Sequence, residues 1–286
     1  MKTLRVLGIY TVVVLAAALV LSFPVQWVCE QFGWFAGKPW GKFFRRCAML
    51  AALAGLWPTV RVLGLAGWQS LGLASPAALA VARTAGGWAM GFGAMALLGW
   101  VAVLTGNRVW EGFSWSEVGR PVTVGVAVGV FEECFFRGVI FGALRREWGV
   151  ARALWASSAI YAMLHFWSAP PEAWMEAVAA LVSLTALGAL LAWCYERTGS
   201  LFLAMGVHAG AVAALRILLA LTHGGATELN WFFGSGAFTL VNGVAAWPLL
   251  ALLWLALAGF ERWMARLYAD GDQGMGARRG GVGLSG

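Results

Sequence analysis

Residues 122–144 read VTVGVAVGVFEECFFRGVIFGAL, an apolar run broken near its middle by Glu132, Glu133 and Arg137. As a helix rising 1.5 Å per residue, the run is long enough to cross the ~30 Å hydrocarbon core of a bilayer. Ionisable groups at such depth are costly and by default mark a functional site. Further apolar runs lie at 6–28, 47–68, 84–105, 153–168, 174–195, 201–221 and 244–260. Across all 286 residues, 61% are hydrophobic and 12% charged, about half the ~25% charged content usual in soluble domains. So few polar side chains cannot cover a soluble core. The expected fold is therefore an all-α polytopic integral membrane protein with about eight transmembrane helices. A cytosolic enzyme, a secreted disulfide scaffold and a disordered regulator are excluded.

The net charge of +7 does not point to nucleic acid, because Lys and Arg stand mostly at the ends of apolar runs, where they meet lipid headgroups. Membrane lipids are the expected partners. Eight spans put both termini on one side, which gathers eleven Lys and Arg, among them Lys2, Arg5, Arg83, Arg145, Arg152 and Arg197. The other side holds six, including the cluster Lys38, Lys42, Arg45 and Arg46. Both termini are accordingly expected to be cytoplasmic, and the Ala, Gly, Arg and Trp richness suggests a bacterial cell membrane. Arg216, near the outer end of its run, is expected to snorkel. The first run resembles a signal peptide, but it exceeds the usual 7–15 apolar residues and leads into Phe23-Pro24-Val25-Gln26-Trp27 without a small-x-small site, so a retained helix is expected. Cys29, Cys47, Cys134 and Cys194 show no metal-ligand spacing. A Cys29–Cys47 disulfide is geometrically conceivable, and packing of free thiols is the simpler account.

The organisation read from these runs is an N-terminal group of about three helices over 1–121, a core over 122–221, a loop and last helix over 222–269, and a disordered Gly-rich tail over 270–286. Segment 222–243 is too polar and short to span, so it forms either an external loop or a re-entrant hairpin.

Within the decisive run, Glu133 and Arg137 are four apart and can pair along the helix. Glu132 points about 100° away and needs a partner from another helix. His165 and His208 also lie inside apolar runs, whereas His223 falls in a polar loop and is expected to be solvated. Counting from the nearest basic residue on the terminal side gives Glu132, His165 and His208 depths of about 20, 20 and 16 Å. One intramembrane site requires such agreement.

Glu132-Glu133-x-x-x-Arg137, Tyr161-x-x-x-His165, and Ser200-Leu201 followed by His208 resemble the three motifs of the CAAX protease and bacteriocin-processing (CPBP, or Abi) family of intramembrane proteases. The resemblance covers about 122–221. Tyr161 stands where that family has Phe, and Val212 where it has Asn or Asp one turn after the histidine. The resemblance implies an intramembrane endopeptidase of glutamic type acting on a membrane-associated or CAAX-like protein or peptide, prenylated termini included. It implies Glu132 as the base, His165 gripping the same water, and His208 donating to the oxyanion. Glu133 and Arg137 would fix the direction of Glu132. Because valine cannot donate a hydrogen bond, Ser157, Ser158, Tyr161 or Asn230 would have to substitute, or His208 act alone. No cofactor is expected. Zinc held by Glu132, His165 and His208 is the mechanistic alternative, though no HExxH is present. A non-catalytic scaffold or bacteriocin-immunity protein on the same core is the alternative from another class, and Val212 is its best support. A proton-coupled transporter would also use buried Glu and His, but it lacks support from broken helices or repeats.

Overall fold

The computed structural model describes residues 2–34, 37–168, 173–225, 229–234 and 240–280. It is all-α apart from one small ribbon, and the protein is a polytopic membrane protein. The helices are α1 (Lys2–Gln31), α2 (Trp40–Val62), α3 (Ala77–Leu104), α4 (Ser116–Glu133), α5 (Gly142–Trp148), α6 (Val150–Ser168), α7 (Trp174–Thr198), α8 (Phe202–Leu221), the short α9 (Asn230–Phe233) and α10 (Ala246–Gly280). Between α4 and α5 the chain stays helical but widens to a π-helix over Cys134–Phe141. There the Gly142 N–H reaches back to the Arg137 carbonyl, five residues away. Among the described residues five helices, α1, α3, α7, α8 and α10, are long and apolar enough to cross a membrane. The other three expected spans fall on α2, on the rod α4–π–α5 and on α6.

Contacts between helix ends fix how the rods run. On the side of the chain termini, the Thr3 N–H donates to Glu147 at 3.0 Å. Arg145 pairs with Glu196 at 2.7 Å, and Arg83 with Glu261 at 2.9 Å. The starts of α1, α3, α6 and α8 thus lie beside the ends of α5, α7 and the membrane part of α10. Two turns that reverse the chain at this level use glycine in left-handed backbone, Gly149 at φ 77° and Gly199 at φ 65°, conformations that side chains with a Cβ resist. At the opposite end, β1 (Arg108–Trp110) pairs antiparallel with β2 (Thr222–Gly224), with Val109 facing His223. Arg108 donates to the Thr222 hydroxyl and carbonyl at 3.0 and 2.8 Å.

Segment 222–243 accordingly starts as an edge strand and then folds inward. Phe233 and Leu240 are buried against Met95, Leu98 and Ala214. The Ser183 hydroxyl donates to the Gly243 carbonyl at 3.1 Å while accepting from the Trp247 indole at 2.9 Å. Where the sequence suggests a disordered tail from 270, α10 is drawn on to Gly280. Residues 281–286 of that tail lie outside the described residues. All four cysteines are free thiols, Cys29 and Cys47 included.

The core that matters for the site is the clasp of α8 between α3 and α4. Gly87 and Gly91 of α3 meet the backbone of Leu203 and Val207. Gly206 and Gly210 of α8 meet the backbone of Thr84 and Trp88, and Gly125 and Gly129 of α4 meet Ala209. None of these positions leaves room for a Cβ, and such small-residue faces let membrane helices approach to backbone contact. Lipid offers no hydrophobic drive between helices, so this close packing is what holds α8 in register.

Candidate active site

Glu132 and Glu133 close α4, Arg137 sits in the π-helical segment, His165 in α6 and His208 in α8. The structure brings all five together. Glu133 is fully buried and accepts from Arg137 at 2.8 Å, within one turn as the spacing suggests. The same Glu133 oxygen lies 2.7 Å from His208 Nδ1. Arg137, also buried, donates to the Gly188 carbonyl of α7 at 3.1 Å, and its guanidinium stacks 4.6 Å over the Tyr161 ring. An unpaired buried charge would be severely destabilising, and here each charge in the cluster meets an opposite charge or a carbonyl. The expectation that Glu133 and Arg137 aim Glu132 therefore needs revision: the group that Glu133 holds directly is His208.

Glu132 differs in its surroundings. Its Oε2, like that of Glu133, accepts no hydrogen bond among the described residues, but it lies 3.4 Å from His165 Nε2 and 3.8 Å from His208 Nε2. The proton positions on both rings follow from their other nitrogens. His165 Nδ1 is 2.9 Å from the Tyr161 carbonyl, which can only accept, so Nδ1 carries the hydrogen. His208 Nδ1 likewise donates to the Glu133 carboxylate. In the neutral rings both Nε2 atoms are then acceptors turned towards Glu132. His208 gains a cavity-facing donor only as an imidazolium.

These groups open onto a cavity of about 620 Å³ between α3, α4, α6, α7, α8 and α10. Glu132, Tyr161, His165, His208 and Val212 line it, with walls supplied by Met95, Leu184, Leu187 and Leu250 among others. Val212 thus borders the cavity one turn from His208. Ser157 and Ser158 are not among its lining residues: both hydroxyls donate to the Leu154 carbonyl, at 3.1 and 2.7 Å. The substitution by serine that Val212 invites is thereby removed, and the Asn230 side chain lies outside the described residues. Arg216, expected to snorkel, is exposed and also lines the cavity. His223 is exposed, as its polar surroundings suggest, and lies 4.0 Å from Glu111. Neither Arg216 nor the Gly188 carbonyl stands out as a site group in the sequence.

Residues 114–214 match the family described as type II CAAX prenyl endopeptidase Rce1-like. Over this segment, about a third of the chain, the protein is similar to the Rce1-like CAAX protease family. No curated protein and no solved structure matches the chain significantly. The Rce1-like segment spans α4 to most of α8 and contains Glu132, Glu133, Arg137, Tyr161, His165, His208 and Val212. Arg216 lies two residues beyond it. Among the described residues no group of three His, Cys, Asp or Glu side chains is disposed to hold a metal ion.

Proposed function

We propose that this protein is an intramembrane endopeptidase in which Glu132 activates water against a peptide carbonyl. The observation that carries the reading is the contrast between two adjacent carboxylates. Each carboxylate keeps an Oε2 without a hydrogen bond, but Glu133 commits its Oε1 to Arg137 and His208 away from the cavity lining, while Glu132 stands beside two imidazoles at the cavity wall. A water donating one hydrogen to Glu132 Oε2 and the other towards His165 Nε2 keeps its lone pairs for attack. Glu132 takes the proton as the C–O bond forms and passes it to the leaving amine as the C–N bond breaks. The imidazolium form of His208, held by Glu133, donates Nε2–H to the developing oxyanion. Separations of 3.4 and 3.8 Å suit a site that tightens only around substrate.

The substrate class we infer is a membrane-associated protein or peptide, CAAX-like and prenylated or not, with the enclosing lipid as the second partner. A cell membrane with cytoplasmic termini is the proposed setting. Hydrolysis is proposed to need no metal ion. Val212 favours one second reading, a non-catalytic member of the family, because the cavity wall one turn from His208 offers no donor there.

One experiment separates these readings. Peptidase turnover by detergent-purified protein is measured for wild type and Glu132→Gln, with and without a chelator. The expected result is wild-type turnover that survives chelation and falls at least a hundredfold, the lower bound of general-base contributions, in the isosteric variant. A wild type as inert as Glu132→Gln favours the non-catalytic reading. Activity lost to chelator and restored by zinc overturns the metal-free mechanism.

A further inference from the structure

The cavity has a direction. On α3 its lining runs from Gly91 to Leu98, on α6 from Tyr161 to His165, and on α8 from Val207 to Leu219. These three helices start on the side of the chain termini, so on each the lining extends away from that side. On α7 and α10, which run the other way, it comes no nearer the termini than Leu187 and Leu253. Twelve residues along α8 carry the lining about 18 Å, to within two residues of the helix end at Leu221.

Between that floor and the termini the bundle is solid. Phe141, Leu144, Leu190, Leu191, Leu203 and Ala204 expose no surface and belong to one core cluster. Arg137 closes the level next to Leu187, where it holds the Gly188 carbonyl. Interiors packed in this way leave few voids larger than a water molecule, and a polypeptide needs far more. The other half differs. Leu164 belongs both to the lining and to the surface, 51% exposed, and so marks the rim. Phe233 and Leu240 pack on Met95 and Leu98, which covers the α3 side and leaves the way in beside α6. The walls of the outer half are mostly Leu, Val and Met, which suit apolar side chains.

We propose that the site is supplied from the face opposite the chain termini, so that with cytoplasmic termini the substrate is the extracytoplasmic part of a membrane-associated polypeptide, entering as an apolar segment through the outer leaflet. The inference rests on the peptidase reading and gives the substrate of that reading a side. A chain end presented from the cytoplasm, prenylated or not, meets the packed half of the bundle. Glu132 and His208 therefore serve chains that expose an apolar stretch on the outer side of the membrane.

Access is tested apart from turnover. Single cysteines are introduced into full-length Cys29→Ser protein: Ala94→Cys and Ala211→Cys on the cavity wall, Ala204→Cys one turn from His208 in the packed half, Glu111→Cys beside the ribbon, and Arg197→Cys on the face of the termini. A membrane-impermeant methanethiosulfonate bearing a quaternary ammonium is applied to right-side-out and to inverted membrane vesicles, and labelling above the Cys29→Ser parent is read by mass. Ala94→Cys and Ala211→Cys are expected to react in right-side-out vesicles only, as Glu111→Cys does. Arg197→Cys should react in inverted vesicles only, and Ala204→Cys in neither until the protein is denatured. Wall positions that react from the face on which Arg197→Cys reacts, or from neither face, overturn the route, as does reaction of Ala204→Cys from the Arg197 face. Wall positions and Glu111→Cys that react together in inverted vesicles only overturn the extracytoplasmic substrate. Turnover is read in the same vesicles with an impermeant quenched peptide whose cleavable stretch is apolar, Glu132→Gln serving as the blank. Signal is expected from right-side-out vesicles at once and from inverted ones only after detergent. Signal from inverted vesicles before detergent overturns the proposal. If no turnover is seen even in detergent while the labelling pattern is as expected, the peptidase reading fails and the route stands.

Discussion

Val212 is where residue chemistry and the proposed reaction meet most directly. It lines the cavity four residues after His208, and valine has no donor to add to the imidazole. Val212→Asn puts an amide N–H on that face. A single oxyanion donor is worth about 2.7–4 kcal/mol where one has been removed from other enzymes, so turnover is expected to rise by up to about a hundredfold or more. An amide without a partner in the resting site costs roughly 1–3 kcal/mol, so thermal stability in the same detergent should fall. An active wild type whose turnover is unchanged by Val212→Asn, with Val212→Ala alongside, would detach His208 from the oxyanion. At this scale Glu132, Glu133, Arg137, His165 and His208 were legible because charge inside an apolar run is conspicuous. What pairs with what was only half legible. Intrahelical spacing gives Glu133 with Arg137, but the contact of Glu133 with His208 depends on how α4 and α8 cross. The Gly188 carbonyl has no side-chain signature. Ser157 and Ser158 look like available donors until their bonds to Leu154 within α6 are seen.

Helix interfaces decide whether these side chains meet. His208 belongs to an element held by backbone contact on two sides, so its position is sensitive to the glycines of the clasp. Gly210→Ala would drive a Cβ into the backbone of Trp88 and Phe92, whereas Gly93→Ala, also on a helix of the clasp, meets nothing within 4 Å. Overpacking typically costs about 1–3 kcal/mol. The expected outcome is a lowered melting temperature and reduced turnover for Gly210→Ala, with Gly93→Ala close to wild type in both. Equal behaviour of the two variants, measured by thermal shift and peptidase assay, would show that the clasp does not position His208. The sequence announces these helices through apolar runs but misplaces their ends. α2 begins at Trp40 and not near Cys47, because Lys42, Arg45 and Arg46 interrupt the apolar signal without interrupting the helix. A helix can continue through the headgroup layer, where charge is welcome. The π-helical turn over Cys134–Phe141 carries no mark in residue type. π-Bulges are frequent at functional sites, and this one directly follows Glu133.

Over the whole molecule, the number of membrane crossings sets where the cavity faces, and it turns on three elements whose composition is ambiguous. Counting only the five strongly apolar helices would put the termini on opposite sides. The contacts argue for eight. Thr3 reaches Glu147, Arg145 reaches Glu196, and Arg83 reaches Glu261, so α1 begins where α5, α7 and the membrane part of α10 end. The β1–β2 ribbon ties the end of α3 to the end of α8 at the other face. For both sets of contacts to hold, α2, the α4–π–α5 rod and α6 must run between the same two ends of the bundle as the five apolar helices. α6, with 19 residues, is about 28 Å long, enough for the hydrocarbon core. Charge gives the direction, since the face with the termini collects the majority of Lys and Arg and positive loops stay inside. Reporter fusions at each terminus are therefore expected to be active only in their cytoplasmic form. In intact cells a membrane-impermeant thiol reagent should reach Cys29, partly exposed near the far end of α1, and spare a cysteine introduced at Arg197. Fusions reporting opposite sides would reduce the crossings to an odd number and remove at least one of the three ambiguous rods from the membrane. Loss of the α4–π–α5 rod or of α6 would carry Glu132 or His165 out of the bilayer. The same fusions thus test whether the reaction assigned to these residues is intramembrane at all.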